Sequence, residues 1–572
     1  SPVTLDADGN IVKAEGPLAF FKDQIVRKRI RKRVVTVEAE LERKLGIIKK
    51  KEKDSLISND IKEKRINNLL KKNSAEIKDV DRLKKKLLNK NFNQKEKMRK
   101  LAQKQQLKAM SRAYIINDMT KGNPTRLLLS FTMPMLVGNL FQQFYNIVDS
   151  IIVGQFVGAD ALAAVGATGS VNFLIFSLCF GMAAGVGIVI SQYFGAKDEE
   201  YVKRAIVNAM YLLLASAAVM FVVGFGFARP FLIALHTPDN ILGDAVLYMK
   251  VICCGIFTVA VYNGVSSILR ALGDSKTPLV FLVISSFLNI ALDLIFILTF
   301  HWGVFGAGFA TVLSEGISGI GCLIWALRKN PYFKFRKDYM RVDTSIIKKC
   351  SRLGFPVAIQ NAMIAVSCIA LQSVVNTFGS TVVAAFTVTS RVEQIVQQPY
   401  GSLGTAMSTY AGQNMGAGEI ERVRAGYRKS YLIMGAFTLL MLPMAQFFGH
   451  QIVQLFVKSS ETEVIALGTQ ALRITSWFYF PLGMIYITRG LLNGAGDAMY
   501  SLINGIMEMC GRIGLAKPLT MIGAIGVWGV WLATGLTWLI TGLISLFRYL
   551  QGKWKEKGVV EPVQRERQHA GA

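Results

Sequence analysis

Residues 123–166 read NPTRLLLSFTMPMLVGNLFQQFYNIVDSIIVGQFVGADALAAVG, and between Arg126 and Asp160 the only charged side chain is Asp149. A helix needs about 20 apolar residues to cross the hydrocarbon core, and one charge at its centre costs about 2.5–3.5 kcal/mol on insertion scales. The stretch therefore reads as a membrane helix that keeps one expensive carboxylate, interrupted at FVGAD before a second helix starts. Windows free of Asp, Glu, Lys and Arg recur at 161–196, 205–228, 251–269, 353–390, 394–418, 430–457 and 518–547. Splitting the longest and adding shorter apolar segments predicts twelve spans, near 127–156, 162–190, 205–228, 246–269, 278–300, 304–327, 353–377, 383–408, 430–449, 465–488, 498–516 and 522–547.

Composition agrees. Of 572 residues, 52% are hydrophobic and 18% charged, and the charge is uneven: residues 1–122 hold 33 of the 66 Lys and Arg and 16 of the 38 Asp and Glu, a net +17 out of +28. That balance excludes a disulfide-rich secreted domain, a collagen-like fibre and a single soluble enzyme domain. The seven Cys have no CxxC spacing and mostly lie in apolar runs, so they read as reduced core residues. No HExxH, GxSxG or Walker-type GxxxxGK occurs among the 572 residues. No zinc hydrolase, serine hydrolase or ATP-driven pump is signalled, and the chain is not expected to be an enzyme.

Lys and Arg collect on the cytoplasmic side of membrane proteins. Residues 328–352 carry nine basic groups against Asp338 and Asp343, and 422–429 hold Arg422, Arg424, Arg428 and Lys429, whereas 378–382 carry none. Alternate loops agree, which predicts both termini cytoplasmic. An internal repeat points the same way: QYFGAK (192–197) is echoed by QNMGAG (413–418), FVGADALAA (156–164) by FGSTVVAA (378–385) and ALGD (271–274) by GAGD (494–497), at offsets of 221–223. Two halves of six spans in parallel orientation should face one another across an axis along the membrane normal, with a cleft between them. The expected fold is an all-α membrane protein of twelve transmembrane helices in two six-helix lobes. Its parts are a basic helical or disordered extension (1–122), an amino-terminal lobe (123–330), an inter-lobe loop (331–350), a carboxy-terminal lobe (351–551) and a polar tail (552–572).

Charges surviving inside spans are functional candidates. Asp149 lies eight residues short of the outer end of span 1, roughly 12 Å along the axis, and Asp293 seven residues short of the end of span 5, roughly 10 Å. Thr311, eight residues into the returning span 6, reaches the same depth. Asn289 precedes Asp293 by four residues, so the two share a helix face. Two carboxylates close together in a low-dielectric pocket cannot both ionise easily, and with amide and hydroxyl oxygens they suit a proton or a small hard cation. If the ion is Na⁺, the ligands would be Asp149, Asn289, Asp293 and Thr311. The alternative is two independently satisfied acids, one bonded to Tyr145 or Asn263. Glu315, in VLSEG, is a further cavity or structural candidate. In the second half, Glu508 and Arg512 are four apart and read as a neutralising pair, as do Arg391 and Glu393 across a kink at Pro399, with cavity lining as the alternative. Arg270 and Arg489, beside the Gly-Asp pairs, read as turn and anchoring residues. Pro134 removes a backbone hydrogen bond within span 1, so it is either a hinge or a static kink.

The opening stretch, with SSILRALGDSKTP (266–278) and FLNIALDLIFI (287–297), resembles the multidrug and toxic compound extrusion (MATE) transporters, over about residues 113–551. The resemblance implies twelve helices in two lobes in a cell membrane of bacterial inner-membrane type. It implies export of cationic or amphipathic organic compounds against inward H⁺ or Na⁺, without a cofactor. In the branch whose ion site is in the amino-terminal lobe, the matching positions are Asp149 and Tyr145 on span 1, Asn289 and Asp293 on span 5, and Thr311 on span 6. Pro134 matches the hinge proline. The other branch has an acidic residue on span 7, where this chain has AIQNAMIAV (358–366). Expected partners are a small organic substrate and membrane lipid; nucleic acid is not expected, and the chain is expected to be a monomer.

Two rival readings stand. A lipid-linked oligosaccharide flippase of related architecture would line its cleft with cationic groups, and a membrane-tethered nucleic-acid-binding protein would act through residues 1–109. That segment has no counterpart in the family pattern; its clustered Lys and Arg suit an anionic lipid or nucleic acid, or form only a solvated extension.

Overall fold

The computed structural model describes residues 4–5, 11–13, 118–234 and 237–560. The chain divides at Tyr114/Ile115 into two units. In the first, Thr4–Leu5 (β1) and Ile11–Lys13 (β2) pair antiparallel, a ribbon that the helix-or-disorder expectation did not contain. The rest of the extension up to residue 117 lies outside the described residues.

The second unit is helical. Its first half comprises α1 (Pro124–Phe156), α2 (Ala159–Gly195), α3 (Glu199–Gly226), the short α4 (Ala228–Ala234), α5 (Asp239–Cys254), α6 (Ile256–Ala271), α7 (Lys276–Leu294) and α8 (Gly303–Lys329). Its second half comprises α9 (Thr344–Asn376), α10 (Ser380–Gly416), α11 (Ile420–Gln454), α12 (Thr462–Ser476), α13 (Tyr479–Ala495), α14 (Met499–Met521) and α15 (Gly529–Leu550). The pair α5/α6 is one span bent by 49° at Gly255. Taking α12/α13 likewise gives six spans per half, twelve in all.

Eight of these spans, counting the bent one, pass on length and apolarity alone. The four that do not are α1, α10, α12/α13 and α14. They carry Asp149, Glu393 and Arg489, which are partly buried, and Glu508 and Arg512, which are buried. α9 starts at Thr344, inside the stretch read as loop, because Asp343 caps it by accepting from the Ser345 and Ile346 N–H groups.

Local signals explain the breaks. Asn123 caps α1, accepting from the Thr125 N–H at 2.9 Å, with Pro124 in the first turn. Gly158 and Gly379 open α2 and α10 at φ +131° and +91°, a backbone region that side chains with a Cβ rarely adopt. They sit 221 residues apart, so the repeat preserves the turn along with the helices.

Within the first half α2 packs on α3, α5 and α6, and α8 on α6 and α7; within the second α9 packs on α14, α10 on α13, and α14 on α15. Each half is thus a lobe. Between lobes α2 lies along α9 and α10, and α1 along α10 and α11. Hydrogen bonds joining the lobes, among the described residues, lie at mid-membrane (Asn139 to Ser402) or toward the end that carries the basic loops. At the other end Ile295–Thr299 forms a π turn after α7, and Trp302 stacks on Phe296 and Phe300. Aromatic side chains suit the membrane–water interface.

Candidate functional site

Three helices of the amino-terminal lobe bring the expected residues together. Asp149 on α1 and Asp293 on α7 bring their carboxyl groups within hydrogen-bonding reach of one another. Each keeps one buried carboxylate oxygen with no partner, a costly state for a full charge in a low-dielectric interior. The Asn289 amide lies between Asp293 and Thr311. In one orientation its nitrogen donates to Asp293 Oδ2 at 3.2 Å while its oxygen accepts from the Thr311 N–H at 3.3 Å. In the other its nitrogen donates to Thr311 Oγ1 at 3.3 Å. The side chain can therefore follow the charge on the acid. Asp293 is fully buried and Asn289 nearly so.

Tyr145 lies within electrostatic reach of Asp149, Asp293, Glu315 and Tyr248. Tyr248, on α5, lies beside Thr311 and was not singled out by sequence, since an aromatic in an apolar span carries no signal of its partner. Tyr145, Tyr248, Thr311, Glu315 and Asn263 line a cavity of about 230 Å³ that has no Lys or Arg in its wall. Asp149, Asn289 and Asp293 are not in that wall; they sit behind Tyr145 and Thr311. Asn263 donates to the Val259 carbonyl at 2.9 Å rather than to an acid. Among the described residues no three His, Cys, Asp or Glu side chains gather as a metal site. What Asp149, Asn289, Asp293 and Thr311 offer together is oxygen: two carboxylates, an amide and a hydroxyl, a set that fits a proton or Na⁺.

The carboxy-terminal lobe holds a different cluster. Glu508 lies 3.9 Å from Arg512 and 3.7 Å from Arg489. Arg512 also donates to Ser367 Oγ at 3.0 Å. Glu393 faces Arg512 and Thr475, not Arg391, which is exposed. The expected Arg391–Glu393 pairing fails because residues two apart point to opposite sides of a helix. Pro134 and Pro399 both lie inside continuous helices.

Arg270 and Arg489, expected as turn anchors, instead border an inter-lobe cavity of about 440 Å³. The Gly-Asp acids do serve the turns. Asp274 accepts from the Lys276 and Thr277 N–H groups at 3.0 Å, and Asp497 accepts from Arg548 Nε at 2.8 Å.

Toward the basic end, the repeated QYFGAK/QNMGAG motif fastens the lobes together. Gln192 donates to the Gly494 carbonyl and accepts from the Val559 N–H; Gln413 donates to the Ala271 carbonyl and accepts from the Met119 N–H. These four bonds measure 2.8–2.9 Å. Gly494 and Ala271 are themselves 223 residues apart, so one bond is the repeat image of the other. A Cβ on Gly195 would run into the Gln413 carbonyl, and one on Gly416 into the Gln192 carbonyl. The echoed sequence was visible; that its members bond across to the opposite lobe was not.

The flanking segments complete this closure. Arg422 and Asn414 bond the Met119 carbonyl, and Lys197 pairs with Asp118 at 2.8 Å. Burial raises the Asp118 carboxyl, but Lys197 and Thr120 outweigh it and hold the group below its usual value. The stretch after Lys553, read as an uninformative tail, packs: Trp554 is buried and stacks on Tyr549.

The MatE family model matches residues 134–295 and again 356–517, one copy per lobe at an offset of 222. The probable multidrug resistance protein YpnP of Bacillus subtilis is 30% identical over 443 residues, 77% of this chain and 97% of its own length. A structure described as the outward-facing conformation of a multidrug resistance MATE family transporter of the MOP superfamily aligns with TM-score 0.73 at 25% identity, covering 77% of this chain and 98% of that one. The same TM-score, identity and coverage hold for a MOP superfamily transporter from Pyrococcus furiosus whose reverse binding-pocket polarity is described as suggesting a different function.

Proposed function

Because the chain belongs to the MatE family of multidrug efflux transporters, multi-pass proteins of the cell membrane, we propose that it is a secondary antiporter exporting small organic compounds in exchange for H⁺ or Na⁺. The observation that carries this reading is the closely approaching Asp149–Asp293 pair with Asn289 and Thr311, set in the amino-terminal lobe with no neutralising base beside it among the described residues.

With the basic end cytoplasmic, the fastened arrangement faces outward. A cation arriving from outside binds the carboxylates and removes the repulsion between them. Pro134, fifteen residues from Asp149 on α1, lets that helix bend in response, and α1 touches both lobes, so its bending reaches the cleft. Substrate leaves, the lobes rock against one another so that the cleft closes outside and opens inside, and the ion is released inside. The driving force suffices: one charge across 100 mV supplies about 2.3 kcal/mol and one pH unit about 1.4 kcal/mol. Together they sustain a gradient of about five hundredfold for one-to-one exchange.

The test is export of a fluorescent organic cation from proteoliposomes under separately imposed H⁺ and Na⁺ gradients. Export should follow one gradient and fall to the leak rate in Asp293→Asn. Undiminished gradient-driven export in that variant would refute the site assignment.

A further inference from the structure

The inter-lobe cavity has an electrostatic character opposite to that of the carboxylate pocket beside it. Its wall includes Arg270 from the first lobe and Arg489 from the second, with Asn139, Ser408 and Asn493, and contains no Asp or Glu. It touches the smaller, acid-bearing cavity at Phe180 and Asn263, which belong to both walls.

Arg489 lies over the Tyr486 ring at 4.9 Å and shares its one carboxylate, Glu508, with Arg512. Arg270 is partly buried and has no ion-pair partner among the described residues. At the repeat offset of 223, Arg270 corresponds to Asn493 and Arg489 to Ser266, so each lobe brings its guanidinium from a different turn to the same space. An incompletely paired guanidinium away from water is costly, and an arriving anion removes that cost. Guanidinium groups hold phosphate through paired N–H bonds, and two of them match the nearly double charge of a phosphate monoester. A volume of about 440 Å³ is that of a small-molecule site.

We propose that this cavity binds a phosphate-bearing organic anion, its phosphate between Arg270 and Arg489 and its apolar body against Tyr486 and Phe180. The inference rests on the export reading and adds an anionic substrate class to the organic cations by which that reading is tested.

Riboflavin and its 5′-phosphate, FMN, share a fluorescent ring and differ by one phosphate. Binding of each to the full chain in nanodiscs of neutral lipid is measured by anisotropy. FMN should bind at least tenfold more tightly than riboflavin. Arg270→Gln and Arg489→Gln should each remove that preference, and Arg270→Lys should restore most of it. Arg424→Gln, which breaks only a surface pair with Glu421, should keep it. Thermal melting of each variant separates lost binding from lost folding; Arg270→Gln leaves the Glu508 cluster intact and decides the matter if Arg489→Gln unfolds. Equal binding of the two flavins, or a preference that survives in folded Arg270→Gln, would overturn the proposal. So would loss of FMN binding in phosphatidylglycerol nanodiscs, which would make the cavity a lipid-headgroup site. The assay is at equilibrium and needs no gradient, so its failure is distinct from failure of the coupling test with Asp293→Asn.

Discussion

In the amino-terminal lobe, Asp149 and Asp293 approach one another with no guanidinium or ammonium beside them among the described residues. In the carboxy-terminal lobe, Glu508 stands between Arg489 and Arg512, and Glu393 faces Arg512 from another helix. The same six-span fold thus encloses an unbalanced pair of acids on one side and a nearly balanced network on the other. A network that is already neutral gains little from an arriving cation, whereas an acid pair lacking a base gains much. The difference teaches that repetition of the backbone does not carry over the chemistry inside it: one lobe encloses acids without a base, and the other sets its acids against arginines.

The sharpest break of that comparison is a pair of isosteric changes. Asp293→Asn should abolish gradient-driven export and leave the melting temperature unchanged or higher, because it removes repulsion. Glu508→Gln should do the reverse in kind, costing about 3 kcal/mol of stability, because two buried guanidiniums lose their shared carboxylate. Export assays with melting curves on the same preparations check both. If Glu508→Gln melts like the wild type, the second network is not structural.

Next in size is lobe closure. Gly195→Leu and Gly416→Leu both force a side chain against a facing carbonyl, and should hold the basic end apart and cut export at least tenfold. Equal effects from the two would show that closure is symmetric although the placement of the acids is not. Gln192→Ala and Gln413→Ala should each cost about 2 kcal/mol for two lost hydrogen bonds, and again the two should match. Cross-linking yield across the basic end measures the first, and melting the second.

A smaller effect concerns pH. The Asp118 carboxyl, held below its ordinary value of 3.8, stays ionised above that value and loses its contribution only as pH falls through the lowered value. Its contact with Lys197 should therefore be constant from pH 5 to 8, and Asp118→Asn should leave the shape of the export–pH profile in that window unchanged. A profile that moves with Asp118→Asn would place the pH sensor outside the membrane. Smallest of all, removing residues 1–109 should leave export within about twofold. Loss of export on that deletion would bring back the tethered nucleic-acid reading.

Much of this was legible in the chain. Spans such as 127–156 and 278–300 lie within a few residues of the helices found, and Asn123 and Gly158 mark the two ends of the first by local chemistry. The meeting of Asp149, Asn289, Asp293 and Thr311 followed from depth counting, because a span's direction and rise fix how far each residue sits from the surface. Depth says nothing about rotation around the helix axis, however. For that reason Arg270 and Arg489 were taken for turn anchors, Glu393 was given the wrong partner, and Tyr248 was missed.

Membrane insertion is a sum over about twenty consecutive residues, so the sequence by itself determined the twelve spans, the duplication and the lobe that holds the unbalanced acids. Which side chains face one another across the cleft depends on how helices hundreds of residues apart rotate and cross. Only the tertiary structure decided that Gln192 and Gln413 bond into opposite lobes, that residues 118–122 and 553–560 seal the basic end, and that two arginines converge on one cavity. The physical reason is range: hydrophobic burial is written locally along the chain, whereas hydrogen bonds and ion pairs need atoms within about 3–4 Å, which no spacing in a linear sequence can specify between helices.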